Sequence, residues 1–215
     1  MAGPPPIILA SASPRREQLL RELGWRFTVI RPDGVEEVNC GAAPHVLVIQ
    51  NAQRKARAVA GQHPGALVIG ADTEVVLDGK VFGKPRDLHD AMGMLTRLVG
   101  RPHEVLTGVC LIHRCFETEI SFFERSRVWM RPLNAKQIRA YFRRINPLDN
   151  ARGKYDGSES WQKSHGFLSW AGAYAIQHGD IVERIEGSYS NVMGLPVERL
   201  RATLEKLGII NSIGR

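Results

Sequence analysis

Short apolar runs alternate along the chain with longer amphipathic segments, and this alternation constrains the fold more than any other feature. Ile7–Ala10 and Ala66–Ala71 are candidates for buried strands, whereas His45–Ala60 and Ala135–Ile145 carry apolar residues at helical spacing. Strands that alternate with helices pack as a sheet covered by helices, so the sequence predicts an α/β fold. A chain of 215 residues suits one α/β domain or two lobes that share one core.

The composition removes several classes of protein from consideration. Apolar residues make up 43% of the chain and charged residues 24%, a balance typical of globular proteins and not of disordered ones. No apolar run approaches the roughly 20 residues that a membrane span needs, so we expect no membrane partner. Cys40, Cys110 and Cys115 form an odd, scattered set without CxxC or histidine spacing, and we expect reduced core thiols in a cytoplasmic protein.

The segment Ser11–Arg16 joins the first predicted strand to a predicted helix. Ser13 is expected to cap that helix and Pro14 to occupy its first position. Unpaired N–H groups and the helix dipole favour an anion at such an N-terminus, yet Arg15 and Arg16 place positive charge there. Two arginines beside two serine hydroxyls suggest a bound phosphate. A capped surface helix with solvated arginines is an equally acceptable interpretation.

Asp72 follows the apolar run Ala66–Ala71, within the sequence Gly-Ala-Asp-Thr. Open α/β folds place their ligands at the carboxyl ends of buried strands. A carboxylate there can hold a metal or accept a proton from an attacking water. For this motif taken alone, an aspartate that closes a turn or caps a helix is the stronger interpretation.

Two further charged segments are compatible with a nucleotide site. The dipeptide Asp78-Gly79 predicts a β-hairpin, and Lys84 and Arg86 follow it closely enough to bind a triphosphate. The acidic segment Asp33–Glu37 offers carboxylates to a hard cation such as Mg²⁺. Each segment alone is more simply interpreted as solvated surface charge, and the chain contains no Walker A motif.

The order of these motifs is far more specific than any one of them. Ser-Pro-Arg-Arg is followed by Glu-Glu, Lys-Ala-Arg-Ala, Gly-Ala-Asp-Thr and Gly-Lys-Pro-Arg, and this succession closely resembles the Maf family. The segments Leu98–Gly108, Ala171–Gln177 and Val182–Pro196 extend the resemblance over nearly the whole chain. It implies one Maf-like domain over residues 1–215, with a fold like that of the inosine triphosphatases. Such a fold has two lobes that flank a central cleft around a long mixed sheet.

The resemblance also implies roles for individual residues. Asp72 matches the family's catalytic base and, together with Glu37, would hold a divalent cation, Mg²⁺ or Mn²⁺. The positions matching the phosphate site are Ser11, Ser13, Arg16, Lys55 and Lys84, and those tied to substrate choice are Arg15, Thr73 and Gln177. The last three together look like the branch of the family that prefers dTTP and UTP. Family members are commonly homodimers, so a second copy of the chain is an expected partner.

The implied activity is cleavage of a nucleoside triphosphate to its monophosphate and pyrophosphate. Such an enzyme removes surplus or non-standard nucleotides, and the resemblance suggests a link to the arrest of cell division. One alternative is a pyrophosphatase for 7-methyl-GTP or another modified nucleotide. Another is a basic nucleic-acid-binding regulator on the same scaffold, although the intact site motifs argue against a degenerate enzyme and make nucleic acid an unexpected partner.

Two features depart from the family pattern. Pro147–Asn150 ends in asparagine where the family has lysine, and the following family motif begins only at Ala171, so Ala151–Trp170 is predicted to be an inserted loop. The net charge is +7, and the segment from Arg125 to Arg144 carries only cations among its charged residues. A solvated face explains that segment more simply than a polyanion contact does.

Overall fold

The computed structural model describes residues 4–35, 41–145, 171–176 and 181–209. Its strands are β1 (Ile7–Ala10), β2 (Phe27–Ile30), β3 (Leu67–Leu77), β4 (Lys80–Phe82), β5 (Pro102–His113), β6 (Thr118–Met130) and β7 (Val182–Glu186). Its helices are α1 (Pro14–Glu22), α2 (Pro44–Ala60), α3 (Leu88–Leu98), α4 (Ala135–Ile145), α5 (Tyr189–Met193) and α6 (Val197–Lys206), with 3₁₀ turns at Arg114–Phe116 and Ala171–Ala173. The predicted insertion Ala151–Trp170 lies outside the described residues.

The seven strands belong to one mixed sheet in the order β2-β1-β3-β5-β6-β7, with β4 paired to β3. Strand β1 runs parallel to both of its neighbours, so that Ile7 lies opposite Phe27 in β2 and Leu67 in β3. Strand β4 is antiparallel to β3, and β7 is antiparallel to β6. Strands alternate with helices along the described chain, which confirms the predicted α/β class.

The chain divides into two compact units. The first contains Met1–Thr73, Leu106–Arg125 and Ser188–Arg215, and the second contains Glu74–Val105 and Ser126–Gly187. Helices α1, α2, α5 and α6 belong to the first unit, and α3 and α4 to the second. Strands β3, β5 and β6 are divided between the two.

In the first unit, helix α2 packs closely on the sheet. Its buried residues Ala52, Ala56 and Val59 share a core cluster with Ile8 and Val68 from the strands. Glycines allow the close approach, because a Cβ on Gly70 would collide with the Ala52 carbonyl, and one on Gly108 with the Val48 carbonyl. Close packing of this kind fixes the distance from the polar residues of α2 to strand β3.

In the second unit, local sequence signals account for most elements. Asp78 and Gly79 adopt positive φ angles of 51° and 74°, which two-residue hairpin turns require, and they connect β3 to β4 as predicted. Asp87 accepts a hydrogen bond from the Asp90 amide at 2.7 Å and so caps α3. Helix α4 has the predicted bounds and buries its apolar face, including Tyr141, whose hydroxyl accepts the Ala175 amide at 3.0 Å.

The predicted end of the third strand was wrong. The prediction placed a strand at Ala66–Ala71 with Asp72 at its tip, whereas β3 continues to Leu77. The reason is a change of partner, because β3 pairs in parallel with β1 as far as Gly70 and antiparallel with β4 from Val75 onward. Asp72 therefore lies inside an 11-residue strand.

Two further predictions concern the cysteines and the absence of a membrane span. Cys115 lies in an exposed 3₁₀ turn and is not a core thiol, whereas Cys110 is buried, and burial raises the pKa of its thiol to about 11. Cys40 lies outside the described residues. No helix within the described ranges has both the length and the apolar character of a membrane crossing.

Candidate active site

Asp72 forms one hydrogen-bonded cluster with helix α2. Its side chain is buried, with 3% of the residue exposed. One carboxylate oxygen, Oδ1, accepts from Lys55 Nζ at 2.5 Å, and the other, Oδ2, accepts from Asn51 Nδ2 at 3.2 Å. Asn51 and Lys55 lie one turn apart on the helix, where residues four positions apart share a face. We call these three residues the Asp72 cluster.

The ion pair within the Asp72 cluster is shielded from solvent. The Lys55 side chain is 12% exposed and that of Asp72 is 5% exposed. A buried charge that loses its partner is strongly destabilised, by about 3–5 kcal/mol. Lys55 and Asp72 therefore depend on each other, and their separation is fixed by the packing of α2 on the sheet.

Arg16 forms a second cluster, which we call the Arg16 cluster. Its residue is 8% exposed, and its guanidinium donates through Nε to the Gly194 carbonyl at 2.7 Å. Nη1 donates to Ser11 Oγ at 3.3 Å, and Nη2 donates to Thr73 Oγ1 at 2.9 Å. Three acceptors from separate parts of the first unit thus orient one cation.

The two clusters meet at neighbouring residues of β3. Successive side chains of a strand point to opposite faces of the sheet. Asp72 accordingly contacts α2, whereas Thr73 contacts Arg16 of α1. Strand β3 therefore carries the carboxylate of Asp72 and, at the next residue, the hydroxyl that binds the Arg16 guanidinium. The two clusters are connected through these adjacent residues of one strand.

The start of α1 differs in one detail from the prediction. The helix begins at Pro14 as expected, but the Ser13 side chain makes no capping hydrogen bond. Instead, the Ser13 amide donates to Ser11 Oγ at 3.1 Å. Ser11, the buried serine, therefore supports both the start of the helix and Arg16, whereas Ser13 is only half-buried.

The two clusters, as defined, do not include the remaining predicted site residues. Arg15 is half-buried in the first turn of α1. Lys84 is exposed in the second unit, next to Gly83, whose carbonyl accepts the Gly172 amide at 3.1 Å. Glu37 and Gln177 lie outside the described residues, so their roles stay predictions. The described residues contain no group of three or more histidines, cysteines or acids that could hold a metal.

Sequence reasoning missed two polar residues that complete these clusters. Asn51 lies on the buried face of α2 beside Leu47 and Ala52, and a polar residue among apolar positions was a signal that could have identified it. Thr107 is fully buried in β5 and contacts Thr73. Nothing local distinguishes Thr107 from the other residues of a buried strand.

The fold is similar to that of a solved structure with little sequence identity. The Ham1 protein of Staphylococcus aureus superposes with a TM-score of 0.50 at 16% identity, covering 94% of this chain and 98% of that one. At this identity the likeness concerns the fold alone. It agrees with the predicted inosine-triphosphatase-like fold.

Sequence comparison gives a closer relationship. The chain is 43% identical over 205 residues to a dTTP/UTP pyrophosphatase of Myxococcus xanthus, covering 94% of this chain and 93% of that protein. It is 41% identical over 204 residues to a dTTP/UTP pyrophosphatase of Symbiobacterium thermophilum, covering 94% of each. A family model described as Maf-like protein matches residues 6–207. The chain therefore belongs to the Maf-like protein family.

Proposed function

We propose that this protein is a nucleoside triphosphate pyrophosphatase that converts dTTP and UTP to their monophosphates and pyrophosphate. Relatives about 40% identical over most of the chain are named dTTP/UTP pyrophosphatases. The structural observation that carries the proposal is the pair of neighbours in β3, with Asp72 bound by Lys55 and Thr73 bound by Arg16. One carboxylate and two cations therefore lie around one short stretch of strand, with Asp72 and Lys55 on one face of the sheet and Arg16 on the other.

The reaction needs a nucleophile, a base and neutralisation of a leaving group. The oxygen of a water bonds to the α-phosphorus, and the bond to the oxygen bridging the α- and β-phosphates breaks. Pyrophosphate leaves with the bonding electrons, while the proton of the water passes to the Asp72 carboxylate. Because a carboxylate has about four lone-pair sites, its bonds to Lys55 and Asn51 leave capacity for this proton.

The cations of the first unit stabilise charge on the phosphates. Arg16 is held by Ser11, Thr73 and Gly194, so its orientation needs little reorganisation when a phosphate binds. Lys55, whose ammonium binds Asp72, is proposed to neutralise charge on a phosphate oxygen as well. By the family resemblance, Lys84, an exposed cation of the second unit, is also expected to bind phosphate.

A divalent cation belongs to the proposal, and the donor chemistry of the described residues fits one. Mg²⁺ is usually bound by one or two carboxylates together with substrate phosphates, and Asp72 supplies such a carboxylate. Asp72 and, by the resemblance, Glu37 would hold Mg²⁺ or Mn²⁺. When bound, the cation would acidify a water ligand and offset phosphate charge.

The proposal is tested by the products formed from a panel of triphosphates. Pure protein is incubated with dTTP, UTP, 7-methyl-GTP and the remaining natural triphosphates, with Mg²⁺ or Mn²⁺, and pyrophosphate is measured. We expect the fastest release from dTTP and UTP and none when the cation is chelated. Release of orthophosphate in place of pyrophosphate, or a preference for 7-methyl-GTP, would contradict the proposal.

Two further properties rest on the family resemblance alone. We propose that the protein forms a homodimer and acts in the cytoplasm. Light scattering coupled to size-exclusion chromatography tests the first property, and we expect twice the mass of one 23.9 kDa chain. A mass equal to that of the single chain at micromolar concentration would contradict it.

A further inference from the structure

The hydrogen bonds around Arg16 continue into a closed ring that includes Thr107. Thr73 Oγ1, which accepts from Arg16, lies 3.0 Å from Thr107 Oγ1. Thr107 Oγ1 donates to the Asn191 carbonyl at 3.0 Å, and the same carbonyl accepts the Gly194 amide at 2.9 Å. The Gly194 carbonyl accepts from Arg16 Nε, which closes the ring.

The donor and the acceptor of every hydrogen bond in this ring follow from the guanidinium and the carbonyls that it contains. A guanidinium can only donate and a carbonyl can only accept, whereas each threonine hydroxyl has a single hydrogen. The hydrogen of Thr107 is used by the Asn191 carbonyl, so the hydrogen between the two threonines must come from Thr73. The oxygen of Thr73 accepts from Arg16 while its hydrogen is donated to Thr107.

Thr107 is the member of the ring that enforces this arrangement. Its residue is fully buried, as is Asn191, so a solvent molecule cannot readily replace its hydroxyl. Without that hydroxyl, the hydrogen of Thr73 has the Gly194 carbonyl as an alternative acceptor, at 3.4 Å. That carbonyl already accepts from Arg16 Nε, so Thr73 would draw on the same carbonyl that orients the guanidinium.

The turn at Gly194 also contributes to the orientation of Arg16. Gly194 has a φ of 114°, which side-chain-bearing residues rarely adopt. A Cβ at this position would lie 3.4 Å from Thr73 Oγ1 and 3.5 Å from Arg16 Nε. Because Thr107 binds the Asn191 carbonyl within this turn, it also fixes the place of the Gly194 carbonyl that Arg16 contacts.

We propose that Thr107 is a positioning residue for the phosphate site, acting through Thr73 and the Gly194 turn on Arg16. The inference rests on the proposed function, in which Arg16 binds substrate phosphate. Because the ring supports the guanidinium, which in the proposed function binds phosphate, its loss is expected to weaken binding of every nucleotide. Thr73, which the family resemblance ties to substrate choice, is then in part a support for Arg16.

The test compares the variants Thr107→Val and Thr107→Ser with the wild-type protein. Valine keeps the shape and removes the hydroxyl, whereas serine keeps the hydroxyl. We expect T107V to raise the KM for dTTP and UTP and the Kd for inorganic pyrophosphate by a common factor of about ten, with kcat little changed. T107S is expected to restore all three constants to within about twofold of wild type.

Thr203→Val is the matched control. The Thr203 hydroxyl donates to the Arg199 carbonyl at 2.8 Å within helix α6 and lies outside the ring, so this variant also removes a threonine hydroxyl bound to a carbonyl. We expect its constants to equal those of wild type. A double-mutant cycle adds a second test, since Thr73→Val and T107V interrupt the same ring and their combined effect should not exceed the larger single effect.

The outcomes separate this inference from the function on which it rests. No pyrophosphate release from dTTP or UTP by the wild-type protein would overturn the proposed function. An unchanged Kd for pyrophosphate in T107V, measured by calorimetry without turnover, would overturn the role of Thr107 alone, as would a loss confined to one nucleotide. If T107V does not fold, Thr107→Cys, whose thiol is a weak donor, provides the same comparison.

Discussion

The Asp72 cluster and the Arg16 cluster hold their charged groups in different ways. In the Asp72 cluster a carboxylate is paired with an ammonium, and both side chains are largely buried. In the Arg16 cluster the three hydrogen bonds end on neutral oxygens of Ser11, Thr73 and Gly194. Breaking a buried ion pair at one partner exposes a full charge to a low-dielectric interior, whereas losing one neutral acceptor removes a weaker bond. The two clusters should therefore differ in their sensitivity to substitution.

The largest effect on stability is expected from Lys55→Ala. This variant leaves Asp72 without the ammonium at 2.5 Å, and we expect the free energy of unfolding to fall by about 3–5 kcal/mol. Arg57 on the same helix provides the control, because its ion pair with Glu119 is half-exposed. Arg57→Ala should cost about 1 kcal/mol or less. Urea unfolding of both variants measures the difference, and equal losses would remove the distinction between a buried pair and a surface pair.

A buried titratable group outside both clusters provides the next comparison. His103 is 2% exposed, its Nε2 lies 2.7 Å from the Tyr174 hydroxyl, and burial lowers its pKa to about 4, against a smaller opposing effect of the Arg101 backbone. The unfolded state therefore binds more protons between about pH 6.5 and pH 4, so acidification through this window destabilises the folded state. We expect His103 to account for a loss of about 3 kcal/mol between pH 7 and pH 4.

The variant His103→Gln isolates this contribution from that of other titrating groups. Its free energy of unfolding should depend less on pH than that of wild type, with the two curves converging as the pH falls. The measurement is urea unfolding of both proteins at several pH values. Parallel curves across the whole window would show that His103 binds a proton equally well in the folded and unfolded states.

A smaller effect than those of Lys55→Ala and His103 is expected from Arg16→Lys. Lysine keeps the positive charge but has no planar fork, so it cannot satisfy the Gly194 carbonyl and the two hydroxyls together. We expect a loss of about 2 kcal/mol in the free energy of unfolding, less than that of K55A, because the unsatisfied groups are neutral. A loss of stability larger than that of K55A would show that the Arg16 cluster, and not the Asp72 cluster, is the more sensitive to substitution.

Local chemistry determined which features could be predicted from the sequence. The hairpin at Asp78-Gly79 and the bounds of α4 each depend on neighbouring residues, and both are present. The end of β3 was missed because it depends on pairing with β4, which the sequence could not place relative to β1. The helix α5 is too short to show an apolar period and was not predicted.

In the candidate site, too, the features that depend on local sequence could be predicted and those that depend on distant residues could not. Asp72, Lys55 and Arg16 were identified because they belong to recognisable motifs, but the partners that hold them come from distant parts of the chain. Thr107 lies 34 residues from Thr73 and 84 from Asn191, so no periodicity could have connected them. Sequence motifs thus identified the charged groups, whereas the neutral groups that orient them became visible only in the fold.

The central claim is that Asp72 performs the chemistry and is not merely half of a structural ion pair. The most direct test is Asp72→Asn, which keeps the shape of the side chain and removes its charge. We predict that pyrophosphate release from dTTP and UTP falls by at least about a thousandfold, while circular dichroism and cooperative unfolding show an intact fold. Release at the wild-type rate by a folded D72N protein would contradict the account.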